Sequence, residues 1–139
     1  MIIAVDFDGT IVTHEYPEIG RPVLGAIETL KCLISNGHKV FLWTMRGSKR
    51  YEGRDLLREA VEYCEDNEIN LYSANHSPSQ FSTSKKQYAQ LYIDDAALGC
   101  PLIDPGDGWD RPYVNWKEVG AQLMRKGLLT VEQYNNIWN

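Results

Sequence analysis

The sequence is poor in the residues that build covalent or membrane-bound architectures. It has only three cysteines in 139 residues. Cys32, Cys64 and Cys100 are widely spaced and form no C-x-x-C pair, so they offer no disulfide framework. Cys32 and Cys64 fall within the apolar patterns of expected helices and read as packing residues, which fits a reducing cytoplasm. No apolar run approaches the roughly 18 residues of a membrane span. No signal-peptide pattern precedes Asp6, so a cytoplasmic protein with no targeting segment and no membrane partner is expected. Positive charge is also in deficit: 14 Lys and Arg against 19 Asp and Glu give a formal net charge of −5. That balance argues against broad, sequence-independent binding to nucleic-acid backbones. There is no internal repeat and no sign of a second domain.

With 43% hydrophobic and 24% charged residues, the composition is that of an ordinary globular protein. The length suits one domain with a real core. The expectation is a single domain over 1–139, with a core over about 1–103 and a helical extension over about 115–139.

Ile2 to Val5 form a short, largely β-branched apolar run, which reads as a strand buried on both faces. Asp6 and Asp8 follow at its C-terminal tip with period-2 spacing, before a turn signal at Asp8-Gly9. Residues 11–21, including His14, read as a loop. A helix is expected from Pro22 to Ser35, with Val23, Ile27, Leu30 and Ile34 on one face and Asn36-Gly37 as its stop. Lys39 to Trp43 reads as a second buried strand ending at Thr44. Strand, helix and strand in this length make a right-handed βαβ unit, which brings Thr44 to the same sheet edge as Asp6.

Arg46, Lys49, Arg50, Arg54 and Arg58 then give a basic stretch. For Arg54 and Arg58, a solvated helix start with intrahelical ion pairs is the preferred reading. Arg46 is placed to reach an anionic ligand, with Lys49 and Arg50 beside it at the rim. Leu57, Ala60, Val61 and Cys64 supply the helix's buried face, and Asn67 its stop. A third short strand is expected over Ile69–Tyr72, and a long polar, serine-rich loop over 73–86 that ends in Lys85-Lys86. Leu91 to Ile93 reads as a fourth strand capped by Asp94-Asp95, adjacent carboxylates that repel unless a cation compensates them. Cys100 to Ile103 suggests a fifth strand at the sheet edge. After a turn-rich connector over 104–114, Asn115 with Glu118 and Thr130 with Gln133 open two final helices.

Asp6-Phe7-Asp8-Gly9-Thr10 after an apolar strand resembles the first signature of the haloacid dehalogenase superfamily. Thr44, the Lys85-Lys86 pair and Asp94-Asp95 follow in the order of that family's second, third and fourth signatures. The resemblance implies an α/β, Rossmann-like parallel sheet of order 3-2-1-4-5 flanked by helices. It also implies phosphoryl chemistry at the C-terminal strand ends. Asp6 would be the nucleophile that forms an aspartyl-phosphate, and Asp8 the acid and base. Thr44 and Lys86 would hold the phosphoryl group, with the backbone amides near Phe7 and Asp8; Arg46 joins them only by its position two residues past Thr44. Lys86 matches the spacing of small family members better than Lys85 does. Magnesium would be held by Asp6, the Asp8 carbonyl and Asp94, with Asp95 as a backup ligand.

Neither 10–21 nor 73–85 leaves room for a cap domain. The expected function is therefore a capless, magnesium-dependent phosphatase acting on a phosphomonoester, a small molecule ahead of a macromolecular phosphate. The substrate identity and any oligomeric state stay open. A receiver-like signalling module is an alternative, but Ser73-Ala74-Asn75 puts no Asp at the end of the third strand. A catalytically idle binding protein on the same fold is the other alternative.

Overall fold

A computed structural model describes residues 1–139. In chain order it contains β1 (Ile2–Val5), α1 (Ala26–Ser35), β2 (Lys39–Leu42), α2 (Leu56–Asp66), β3 (Ser73–Ala74) and β4 (Leu91–Ile93). It ends with β5 (Leu102–Ile103), β6 (Tyr113–Val114), α3 (Trp116–Arg125) and α4 (Val131–Trp138). β1 lies between β2 and β4 and is parallel to both; Val5 is level with Leu42 on one side and Ile93 on the other. β3 pairs parallel with the far side of β2, so the sheet runs β3-β2-β1-β4. This α/β architecture is compatible with a Rossmann-like fold.

The fifth strand differs from expectation. β5 does not extend the parallel sheet but pairs antiparallel with β6 in a separate ribbon. Tight turns close behind Asp94, where Ala97 N–H donates to the Asp94 carbonyl and Cys100 N–H to that of Ala97. Gly99 has a positive φ of 88°. These turns carry the chain away before it can pair with β4.

The third strand also moves. Ile69 N–H still closes the end of α2 on the Cys64 carbonyl at 2.8 Å. Pairing with β2 therefore starts only at Tyr72–Ala74, and Ile69 is buried without joining the sheet.

Helix starts follow local chemistry. α1 begins at Ala26 rather than Pro22, because Pro22 bridges to Val12 and Gly25 has a left-handed φ of 83°. A Cβ on Gly25 would collide with the Trp138 ring, so no other residue fits that turn. Asp55 caps α2 through Arg58 N–H, and Asn115 caps α3 through Glu118 N–H. Thr130 and Gln133 form a reciprocal capping box on α4.

One core cluster joins Ile3, Val5, Val40 and Leu42 on the sheet to Leu30 of α1, Cys64 of α2 and Leu123 of α3. The helices thus share one sheet face. Phe41 points to the other face, stacked on Tyr72 at 5.4 Å and edge-on to Phe81 at 6.1 Å. There the segment after β3 stands in place of a helix. All three cysteines are free, and Cys64 is fully buried. No helix is long and apolar enough to cross a membrane.

The C-terminal segment reaches back to the first loop. Val114 N–H donates to the Gly9 carbonyl at 2.9 Å, and the buried Trp116 indole N–H donates to the Thr10 carbonyl at 2.7 Å. Trp116→Phe keeps most of the apolar bulk but leaves the Thr10 carbonyl without its donor. Urea unfolding is expected to show a loss of about 1–3 kcal/mol. A loss within error of zero would show that this bond does not hold the loop.

Candidate active site

The loop after β1 is wound tightly. Asp6 N–H donates to the Ile93 carbonyl at 2.9 Å, which aligns the tip of β1 with that of β4. The amides of Thr10, Ile11 and Val12 then all converge on the Phe7 carbonyl, at 3.1, 2.9 and 3.2 Å. Gly9 has a φ of 78°, and a Cβ there would strike both the His14 ring and the Asp95 carboxylate. Glycine is therefore required both by the backbone and by the close approach of that pair.

Three carboxylates meet at the strand tips. One oxygen each from Asp6, Asp94 and Asp95 lie within 4.8 Å of one another. Thr10 Oγ1 donates to Asp6 Oδ2 at 3.3 Å and accepts from Asp95 N–H at 3.3 Å. Asp94 Oδ1 accepts Ala96 N–H at 2.8 Å, and Asp95 Oδ2 pairs with His14 Nε2 at 2.8 Å.

This crowding is costly without a cation. Burial first, then a hydrogen bond to Asp95 and the charge of Asp94, push the Asp6 carboxyl from 3.8 up to about 8, against the Phe7 N–H, which favours its ionised form. Burial, and after it the neighbouring Asp95, also raise Asp94, although the Ala96 N–H opposes them. Magnesium fits this donor set. Metal–oxygen distances of about 2.1 Å put ligand oxygens about 3–4 Å apart, so the cluster needs only a small contraction. The Asp8 carbonyl accepts no hydrogen bond from the backbone, as a further oxygen ligand would require.

Asp6 and Asp94 line a cleft of about 330 Å³ together with Trp43, Thr44, Met45, Asn75 and Lys85. Thr44 thus stands where the βαβ reading put it. Its N–H donates to Asn75 Oδ1 at 2.8 Å, and its hydroxyl accepts Arg46 N–H at 3.2 Å. The hydroxyl proton stays free to donate into the cleft.

The structure places Lys85 rather than the expected Lys86 on the cleft. Lys85 lines the cleft, whereas Lys86 Nζ lies 5.2 Å from the Tyr92 ring centroid, on an exposed tyrosine of β4. Spacing upstream of Asp94 favoured Lys86, but the loop's turns decide which of two adjacent side chains faces inward.

Arg46 is not a rim residue. It is fully buried, with Nε and Nη2 donating to the two Asp8 oxygens at 2.8 Å each. It also donates to the Pro17 and Glu18 carbonyls at 3.2 and 2.9 Å, and lies over the Phe7 and Tyr16 rings. Its guanidinium is therefore committed to Asp8 and the 11–21 loop, and only Lys49 and Arg50 of the expected rim are exposed. The Phe7 side chain is buried beneath it, so Phe7 can serve a ligand only through its backbone. The Asp8 N–H donates to no backbone carbonyl. Arg58 pairs with Glu62 within α2, as expected, whereas Arg54 precedes the helix and bridges Glu18 of the 11–21 loop to Glu59.

Three features of the site went unread in the sequence. His14 lies in a stretch without periodicity, far in sequence from Asp95. Asn75 has a φ of 51° and bonds both Thr44 N–H and the Arg46 carbonyl. The Arg46–Asp8 pair links positions whose sequence distance carries no signal.

Among solved structures, the chain is similar to that of a conserved protein from Bacteroides thetaiotaomicron. Identity is 36%, the TM-score is 0.68, and the alignment covers 96% of this chain and 95% of that one. This chain belongs to the same family as that conserved protein. No protein-family model matches the sequence, and no curated protein does either. Likeness over nearly the whole of both chains means that the β5–β6 ribbon and the C-terminal helices lie within the shared length.

The raised Asp6 has a thermodynamic consequence. In the unfolded chain its proton leaves near pH 4, whereas the folded chain keeps it to about 8. Stability from this group is thus full below pH 4 and is lost as pH rises from about 4 to about 8. Melting in chelator should show this decline, and Asp6→Asn should flatten it. Magnesium should raise the melting temperature more at pH 8 than at pH 5. Equal melting of the parent at both pH values, with no shift from magnesium, would show that the cluster is neither strained nor a metal site.

Proposed function

We propose that the chain is a magnesium-dependent phosphohydrolase of the haloacid dehalogenase type, cleaving a phosphomonoester through an aspartyl-phosphate on Asp6. The observation that carries this reading is one cleft lined by Asp6, Asp94, Thr44 and Lys85. It combines a nucleophile, a cation-binding carboxylate, a hydroxyl donor and an ammonium at the tips of three parallel strands.

An Asp6 oxygen bonds to phosphorus while the ester P–O bond breaks and the departing alkoxide takes a proton from Asp8. Water then attacks the acyl phosphate, gives its proton to Asp8 and releases inorganic phosphate with Asp6 restored. Thr44 and Lys85 stabilise the transferring oxygens through a hydrogen bond and a charge. The free Asp8 N–H offers them a further donor. Asp6, Asp94 and the Asp8 carbonyl would hold magnesium, which would supply positive charge to offset that of the phosphoryl group. Asp95, held by His14, supports that set from behind.

Asp8 requires one movement. Both its oxygens are taken by Arg46, yet its side chain keeps 16% exposure. It must turn away from the guanidinium to reach a leaving oxygen, and Arg46 is the support to which it returns. The cleft carries no cap domain, so the 11–21 and 75–90 segments must limit the access of water.

Hydrolysis of p-nitrophenyl phosphate should require magnesium and should be lost in Asp6→Asn while the fold persists. Lys85→Ala should lower kcat at least tenfold more than Lys86→Ala, about 1.4 kcal/mol of transition-state stabilisation. Parent-like turnover in Asp6→Asn would refute the covalent route, and a larger defect in Lys86→Ala would return the role to that residue.

Arg46→Lys, which keeps the charge but not the two-pronged contact, should reduce kcat about tenfold with KM nearly unchanged. A rise in KM at constant kcat would make Arg46 a substrate contact instead.

A further inference from the structure

A second cavity, of about 350 Å³, adjoins the Asp6 cleft and shares Asn75 and Lys85 with it. Its wall comes from residues 75–85 alone and contains neither an apolar side chain nor a carboxylate. The composition is unusual in a chain where acidic residues outnumber basic ones.

Three of the five hydroxyls on that wall accept a backbone N–H. Ser77 Oγ accepts Tyr88 N–H at 2.7 Å, Ser82 Oγ accepts Ser84 N–H at 3.0 Å, and Ser84 Oγ accepts Lys86 N–H at 3.2 Å. Each oxygen is thus engaged by the backbone while its own proton remains free. The Lys85 ammonium and the His76 imidazole add further donors. A pocket of donors with a cation on its wall and no anion of its own favours an anionic guest.

We propose that this cavity holds a second anionic group on the alcohol side of the substrate, so that the preferred substrate class is a compact bisphosphate such as a sugar bisphosphate. The assignment of which phosphate is cleaved rests on the phosphohydrolase reading; the anion site does not. With one phosphate against Asp6, Thr44 and Lys85, the ester's remainder passes Asn75 into the donor-lined cavity. Lys85 stands between the two groups and serves both.

The test is calorimetric titration of the full-length Asp6→Asn protein with magnesium, using fructose 1,6-bisphosphate and fructose 6-phosphate. The bisphosphate should bind at least about tenfold more tightly. Thr83 is exposed on the cavity wall, so Thr83→Asp should abolish that advantage by charge repulsion and Thr83→Lys should enlarge it. Equal affinity for the two sugars, or an advantage unaffected by Thr83→Asp, overturns the anion site whatever the enzyme hydrolyses. The expected binding pattern in a protein inert towards p-nitrophenyl phosphate upholds the site and rejects the phosphohydrolase reading.

Discussion

Three carboxylates held with oxygens within 4.8 Å of one another are the constraint on which the arrangement of the strand tips depends. Their repulsion must be met by proton sharing, by fixed dipoles or by a cation. The first appears in the Asp6 carboxyl, pushed up to about 8. The second appears in the Ala96 and Phe7 amides directed at Asp94 and Asp6. Neither removes the strain, and a divalent cation would remove most of it in one step. On the phosphohydrolase reading proposed above, the cluster is a half-neutralised site for that cation.

Holding it requires a rigid loop, and the rigidity is imported from far along the chain. Residues 6–13 are bonded by Ile93, Val114 and Trp116, while His14 fixes Asp95 against Gly9. Towards this loop the C-terminal segment contributes packing and two bonds to backbone carbonyls, from the Val114 N–H and the Trp116 indole. Leu123, Leu128 and Leu129 join the same core cluster as Ile3 and Val5, so the ribbon and helices that follow the sheet are part of the support beneath the site.

What was legible in the sequence had local causes. β1 and β4 are short apolar runs with acidic ends, and the Asn115 and Thr130 side chains each cap a helix by accepting the amide three residues on. Asp6, Thr44 and Asp94 were placed by topology, since parallel strands bring their C-terminal ends together. The failures are non-local. Whether Cys100–Ile103 joined the sheet depended on turns after Asp94, and whether Ile69–Tyr72 paired depended on where α2 released the chain. Arg46 looked like a free cation because its partner, Asp8, lies in a different loop. The choice between Lys85 and Lys86 needed the path of a segment with no periodicity at all.

That segment, 75–90, is where the fold departs most from a sheet with helices on both faces, and the departure has a chemical use. It is fastened at its base. Phe81 packs on Phe41, Tyr72 and Tyr88, and Gln87 Nε2 donates to the Leu42 and His76 carbonyls. Between these anchors Thr83, Ser84 and Lys85 stand exposed. In a helix, serine and threonine hydroxyls tend to donate back to carbonyls of the preceding turn, leaving few protons to offer a ligand. In this loop Ser77, Ser82 and Ser84 accept from amides instead, which leaves their protons to donate. Replacing a covering helix by an anchored loop thus exchanges packing on one sheet face for a row of outward donors beside the Asp6 cleft. Aromatic contacts fix the row's position without contributing charge, and Lys85 joins it to the chemistry at the strand tips.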